Sequence, residues 1–475
     1  MYSEKNKIFD IVIVGDGMNG TLAASEISEV FPNLRICWIG SNCNSASRAA
    51  GAMHAVFGEV ESDFYESKKN LDFLNIGLKA KLEWKKILKK HNIKKYITSR
   101  DTIFYRKKSD NEFEKSNFDM ACKIASKYNV LKSIHNKYKK KIFKGYLGPK
   151  KFDAVILNSE FSLNPVKVIE SLDKILKKRK NLIKYNAVVK NITHLNNIFF
   201  LKTDFKNSKK FAVIRSKKLI VASGYNSSKL VKNIFRAVPV VKGVGTAFLL
   251  KHNYFSKNLK QVIRTPNRGG TQCGLHIVPY DKKTIYVGAG NYLSNQTEPL
   301  GRIETISYLS RLLSEELLPR KVMYQAQIIN LLGYRPKSID NMPSIGTIKK
   351  NKNIFYISGT NRVGLSWSPY VIKQVINWLS NKKIDELFKN FRPDRKIYSW
   401  GNFNDAARYY SASRLANLLE HNLISSNNKN SFKKKKQQLE NFSRTQNSYF
   451  VKKFKFSKKF VFDPDCYSIL NNLNL

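Results

Sequence analysis

Acidic residues are scarce in this chain: 35 Asp and Glu stand against 85 Lys and Arg among 475 residues, a formal net charge of +50. Such an excess ordinarily suggests nucleic acid or an anionic surface as a partner. Here it is mostly lysine scattered among Asn and Ile, with no arginine-rich patch, so a compositional bias carried on a solvated surface is the favoured reading. Nucleic acid stays open as a secondary partner class. Cysteine is also sparse. Cys37, Cys43, Cys122, Cys273 and Cys466 are widely spaced and odd in number, which excludes a disulfide framework and a C-x-x-C metal pair. There is no metal-spaced histidine set and no Ser-His-Asp signature, so no metal site is expected. No uncharged apolar run reaches about 18 residues, so no membrane-spanning helix is expected. The opening MYSEKNKIFD lacks the apolar stretch of a signal peptide, and a soluble, cytoplasmic protein is the expectation. With 42% hydrophobic residues the chain can bury a full core, and its length suggests two or three structural units.

What is present begins with IFDIVIVGDGMNGTLAASEISEVF, Ile8 to Phe31. The β-branched run Ile11–Val14 reads as a strand, Gly15-Asp16-Gly17-Met18-Asn19-Gly20 as a tight turn, and the rest as a helix. In a G-x-G-x-x-G turn so placed, the first glycine permits the bend, the second lets a pyrophosphate approach the backbone, and the third lets helix and strand pack closely. The helix N-terminus then offers free N–H groups and a positive dipole end to the phosphates. Glycines also mark ordinary turns, so a purely structural bend is the alternative. Leu34 to Ile39 reads as the second parallel strand. Strands of this kind usually end in an acid that binds the adenosine ribose, whereas here Gly40-Ser41-Asn42 follows, leaving Ser41 or Asn42 to meet a ribose hydroxyl.

Further along, Ser45 to His54 is rich in small residues, which lets backbone pass close to a flat ligand; a plain helix start is the alternative. Helical spacing runs from Phe64 to about Lys95, with Leu71, Phe73, Leu74, Leu78, Leu82 and Trp84 as a core-facing set. Residues from about 96 to 150 read as strands and a helix of an inserted unit. A helix follows Asn164-Pro165, Asn186 to Leu201 resembles a β meander, and Lys218–Val221 is a buried strand running to Gly224. Strand-like runs from Val238 to Asn291 form a second sheet. Ile354 to Ser358 is another buried strand, ending at Gly359, and its loop opens a helix over Val371 to Leu379. After Trp400, helical spacing over Ala406 to Leu423, a lysine run at 433–436 and alternating aromatics and lysines read as a solvated extension packed on the outside, with a partner-binding element as the alternative.

The ordered motifs IVIVGDGMNG, SRAAGAMHAVFGE, SLNPVKVIESL, LIVASGYNSSKLV, GYRPKSIDNMPSIG and YISGTNRVGLSWSPYV resemble the FAD-dependent oxidoreductases of the D-amino-acid oxidase family over roughly residues 8 to 380. The resemblance implies an α/β fold: a Rossmann-like FAD-binding domain with a parallel sheet, discontinuous over 1–95, 150–238 and 336–400, plus an antiparallel-sheet substrate domain from 96–149 and 239–335, followed by the basic extension 401–475. It implies non-covalent FAD against Gly15, Asp16, Gly17, Met18, Asn19 and Gly20, with the backbone at Val189 meeting adenine; Ser41 stays a candidate for the ribose, and Gly224 ends a strand that delivers backbone to the cofactor. Ser47, Arg48, Gly51, Ala52 and Met53 then approach the flavin side, and Gly359, Asn361, Arg362, Val363, Gly364 and Leu365 the ribityl chain and isoalloxazine. Arg335 is the counterpart of the family's substrate arginine and suits a planar carboxylate; a structural clamp on Asp340 is the equally weighted alternative.

A bound flavin needs no strong protein nucleophile, only a C–H bond placed against its N5. His54, His276, Tyr280 and Tyr225 are candidates to move a proton or donate a hydrogen bond. The expectation is therefore an oxidoreductase taking a hydride from the carbon of a C–N bond in a small amino acid or secondary amine, with an electron acceptor that the sequence does not identify. The competing classes are a flavoprotein acting on a modified tRNA base and one oxidising a C–OH group in a sugar pathway.

Overall fold

The computed structural model describes residues 8–41, 45–64, 67–107, 111–133, 152–206, 211–255, 259–268, 272–297, 299–420, 423–424 and 429–473. Asn42, Cys43 and residues 134–149 of the expected inserted unit lie outside the described residues.

Two sheets organise the chain. In the first, the Ile8–Val14 strand runs parallel to Ile36–Gly40 on one side and Phe211–Val221 on the other, and Ile354–Ser358 continues the parallel set. Alternate side chains of these strands serve different cores. Ile11, Ile13, Ile36 and Trp38 enter one cluster, and Phe9, Val12, Val14, Cys37 and Ile39 enter another across the sheet. Burial on both faces is why the strands read as continuous apolar runs rather than alternating ones. The first cluster is closed by four helices, Met18–Val30, Lys68–Lys90, Pro165–Leu176 and Gly364–Leu379. The expected meander is there too: the second half of Leu182–Leu195 pairs antiparallel with Ile198–Phe205, which pairs with the start of Phe211–Val221.

The second sheet runs in the order Gln327–Ser338, Val240–Lys251, Thr284–Ser294, Gln272–Pro279, Val262–Arg264, Ile97–Lys107, Phe152–Leu163, Met53–His54. It is antiparallel except where Val262–Arg264 meets Ile97–Lys107. One strand ties the sheets together: within Gln327–Ser338, Tyr334 bridges Ser45, Lys337 bridges Thr360, and the Pro336 carbonyl accepts from Asn361 N–H at 2.7 Å. Among the described residues no helix is long and apolar enough to cross a membrane.

Several expectations need correction. Leu82 is 56% exposed, so the apolar set of its helix is narrower than its spacing suggests. The small-residue segment does not start a helix; its end, Met53–His54, pairs as a strand with Phe161 and Ser162. The last helix of the first unit starts at Gly364, before Pro369. An internal proline costs about 3 kcal/mol, and burial of Trp367 and Tyr370 on the same helix is of a size to offset it.

The region after Trp400 is more than a solvated extension packed on the outside: its lysine run at 433–436 is exposed, but other parts of it are buried. It forms helices Phe403–Glu420 and Lys429–Lys453 and a cluster in which Tyr410, Phe450, Phe462, Cys466, Tyr467 and Leu470 bury against Val238, Val241 and Ile339. The alternation of aromatics and lysines sorts by side: Phe450 and Phe462 turn in, while Lys452, Lys455, Lys458 and Lys459 turn out. The segment also supplies charge to the interior. The Lys337 ammonium lies 3.0 Å from Asp463 and 3.6 Å from Asp465. Burial acts to lower its pKa, yet the two acids hold it above the ordinary lysine value.

Candidate cofactor and substrate site

The glycine turn is built from contacts that leave no room for side chains. Gly15 has φ +118°, and a Cβ there would sit 2.2 Å from the Ala222 carbonyl oxygen. A Cβ on Gly20 would lie 1.9 Å from the Gly15 carbonyl oxygen, so this glycine serves helix-on-strand packing. The turn is fixed to the sheet by Gly15 N–H donating to the Ile39 carbonyl at 2.8 Å and by the Trp38 indole donating to the Gly15 carbonyl at 2.8 Å. Gly17 precedes the helix in extended conformation, and the first helical N–H, on Met18, donates to the Ser47 hydroxyl at 3.0 Å. A second helix N-terminus meets the first: Asn19 Nδ2 donates to the Gly364 carbonyl at 3.3 Å.

A cavity of about 570 Å³ extends from this turn into the space between the sheets. Ser41, Val189 and Lys190 line it on the side of the first sheet; His276, Tyr286 and Arg335 line it on the second. Of the sequence candidates, Gly15, Asp16, Gly17, Met18, Asn19, Ser41, Ser47, Gly51, Ala52, Met53, Val189, Gly224, Asn361, Arg362, Gly364 and Leu365 line this cavity. Gly20, Arg48, Gly359 and Val363 do not; Gly359 turns the chain at φ +65°, and Val363 belongs to the apolar core.

Among the residues considered for chemistry, Arg335, His276 and Tyr225 line the cavity, whereas His54 and Tyr280 lie outside its lining. His54 is fully buried and stacked on Phe161, and burial pushes its pKa down to about 3. Tyr280 has its phenol pushed up to about 12, first by burial. His276 is also held down at about 3, by burial and then by Arg264. Its Nδ1 is 2.9 Å from the Gly274 carbonyl. A carbonyl can only accept, so Nδ1 carries the proton and Nε2 keeps its lone pair. The neutral ring is thus an acceptor, and too weakly basic to hold a proton near neutral pH.

Glu59 and Arg264 were not singled out by the sequence, although Glu59 lies within the SRAAGAMHAVFGE motif. Both line the cavity. Glu59 accepts from Arg264 at 3.0 Å and from Arg362 at 3.1 Å, and Arg362 also reaches Glu61 at 2.9 Å. Burial works to raise the Glu59 carboxyl, and the two guanidinium groups overcome it and hold it at about 2. Arg264 had no motif around it, only a place at the end of a short strand.

Arg335 projects beside two glycines of the neighbouring strand. A Cβ on Gly245 would lie 3.3 Å from its Nε, and one on Gly243 would lie 3.5 Å from its Cβ. Asp340, the alternative partner, is taken by Arg395, whose Nη2 meets its two carboxylate oxygens at 2.9 and 3.0 Å. Arg395 is therefore the clamp on that corner. Among the described residues no group of His, Cys, Asp and Glu is placed to hold a metal ion.

Gly17→Val is expected to yield folded protein without flavin, since the added side chain enters the cavity where a Cβ already comes within 3.1 Å of the Ser47 hydroxyl. Flavin content measured after denaturation checks this, and full content in a folded variant would reduce the turn to an ordinary bend.

The family described as FAD dependent oxidoreductase (DAO) matches residues 10–378. No curated protein sequence matches the chain. Among solved structures, glycine oxidase from Geobacillus kaustophilus superposes with a TM-score of 0.68 at 16% identity, covering 82% of this chain and 99% of its own. L-proline dehydrogenase from P. horikoshii gives 0.63 at 16% identity, over 82% and 98%. An L-alpha-glycerophosphate oxidase from Mycoplasma pneumoniae, solved with FAD bound, gives 0.63 at 16% identity, over 80% and 96%.

Proposed function

The chain belongs to the D-amino-acid oxidase family of FAD-dependent oxidoreductases, and from that premise we propose that it oxidises the C–N bond of a small amino acid or secondary amine bearing a carboxylate. The residues present fit the cofactor. The turn at Gly15 and Gly17 would face its pyrophosphate, with two helix N-termini beside it, and the backbone at Val189 would meet its adenine. When bound, non-covalently, the flavin supplies a two-electron acceptor for hydride at N5.

The protein's own part is placement. Arg335 offers two parallel N–H donors to a carboxylate and so fixes one end of the substrate. The neutral His276 ring can accept a hydrogen bond at Nε2 from an amine without competing for its proton at neutral pH. The walls of both sheets restrict water around the reacting carbon. The observation that carries the reading is that Arg335 lines the cavity while Arg395 occupies Asp340.

The test is anaerobic mixing of the purified holoprotein with glycine, sarcosine, L-proline, iminodiacetate, α-glycerophosphate and tRNA while flavin absorbance is followed. Bleaching by one or more of the carboxylate-bearing amines supports the proposal. Bleaching by α-glycerophosphate or by tRNA alone overturns it in favour of C–OH or modified-base oxidation.

A further inference from the structure

The second parallel strand ends in Gly40 where a ribose-binding acid is usual in this kind of fold. The place is not vacant. A Cβ built on Gly40 would lie 2.3 Å from the Asp16 Cβ, 2.4 Å from its Cγ and 2.7 Å from its Oδ2. The side chain of Asp16 therefore occupies the volume that the first carbon of an acid at position 40 would need. The two positions exclude each other: one carboxylate fits at this strand end, and it arrives from the glycine turn.

The rest of the geometry agrees. Gly15 N–H is tied to the Ile39 carbonyl, which holds the turn against the end of the second strand. Asp16 is 8% exposed and lines the cavity together with Gly40, Ser41 and Val189. The carboxyl group lies over Gly40, at the end of the second strand.

We propose that Asp16 carries out the ribose-binding role that Gly40 has given up, accepting hydrogen bonds from the adenosine ribose hydroxyls of FAD. A charge-assisted hydrogen bond is roughly twice as strong as a neutral one, so this placement supplies what Ser41 alone would not. The inference rests on flavin binding and is independent of which substrate is oxidised.

The experiment measures dissociation constants of the apoprotein for FAD and for the analogue with 2′-deoxyadenosine in its adenosine half, by flavin fluorescence. Wild type should bind the deoxy analogue at least tenfold more weakly than FAD. Asp16→Asn should bind FAD about 10- to 100-fold more weakly than wild type and should discriminate little between the two ligands. The double variant Asp16→Gly/Gly40→Glu should regain both affinity and discrimination, because the volume over position 40 is then free of the Asp16 Cβ. Melting of each apoprotein confirms that the variants compared are folded. Should wild type bind both ligands equally, or should folded Asp16→Asn keep the wild-type discrimination ratio, the assignment is overturned. If the variants do not fold, equal binding of the two ligands by wild type still overturns the assignment.

Discussion

Arg335→Met is expected to leave flavin content near normal and to slow flavin reduction by a carboxylate substrate on the order of a hundredfold or more. Leaving a buried carboxylate without its partner costs about 3 to 5 kcal/mol, and every 1.4 kcal/mol is a factor of about ten. Arg335→Lys should fall between the two, since a point charge replaces a planar two-pronged donor. The corner at Asp340 is held by Arg395, so neither variant should lower the melting temperature appreciably. Thermal stability, bound flavin and anaerobic reduction rate measured on one preparation check this. A variant that is unstable, yet kinetically normal per bound flavin, would return Arg335 to a structural role.

Lys337→Met is expected to have the larger effect on stability. Lys337 stands two residues beyond Arg335 on the same strand, 6% exposed at its side chain, and its partner Asp463 is 4% exposed. Removing the ammonium leaves Asp463 and Asp465 buried beside each other, at a cost of about 3 to 5 kcal/mol. The helices after Trp400 should become sensitive to limited proteolysis in the variant. Adding Asp463→Asn should recover part of the loss, because one uncompensated charge is then gone. Wild-type melting and protease resistance in Lys337→Met would show that the extension is held by its apolar cluster alone.

How far the sequence could be read depends on how local each signal is. The Ile8–Val30 strand, turn and helix were legible because the burial period, the glycine spacing and the helix start all fall within one short stretch. The meander and the strand at Ile354 were legible for the same reason. The cavity-lining role of Glu59 was not, since it depends on Arg264 and Arg362, each more than 200 residues away. Spacing likewise does not reveal that Asp340 pairs with Arg395 and not with the nearer Arg335. The buried cluster of the tail is not legible in the sequence because alternating Phe and Lys has the same period whether its apolar side meets solvent or another element. What decides is the facing surface of Val238, Val241 and Ile339. His54 sits in a motif that otherwise lines the cavity, and only the pairing of Met53–His54 with Phe161 and Ser162 turns its ring into the core.

The grip of Asp463 and Asp465 on Lys337 has a consequence for the order in which a newly made chain can fold. Lys337 and its strand leave the ribosome long before the two acids do, and an ammonium without a partner resists burial. Until those acids arrive, the strand that joins both sheets lacks the charges that let it close. The cavity uses that strand for one of its walls, and the glycine turn, though synthesised near the start, must wait for it. Cofactor capture is therefore expected late in the life of the nascent chain, after the region beyond Trp400 has docked.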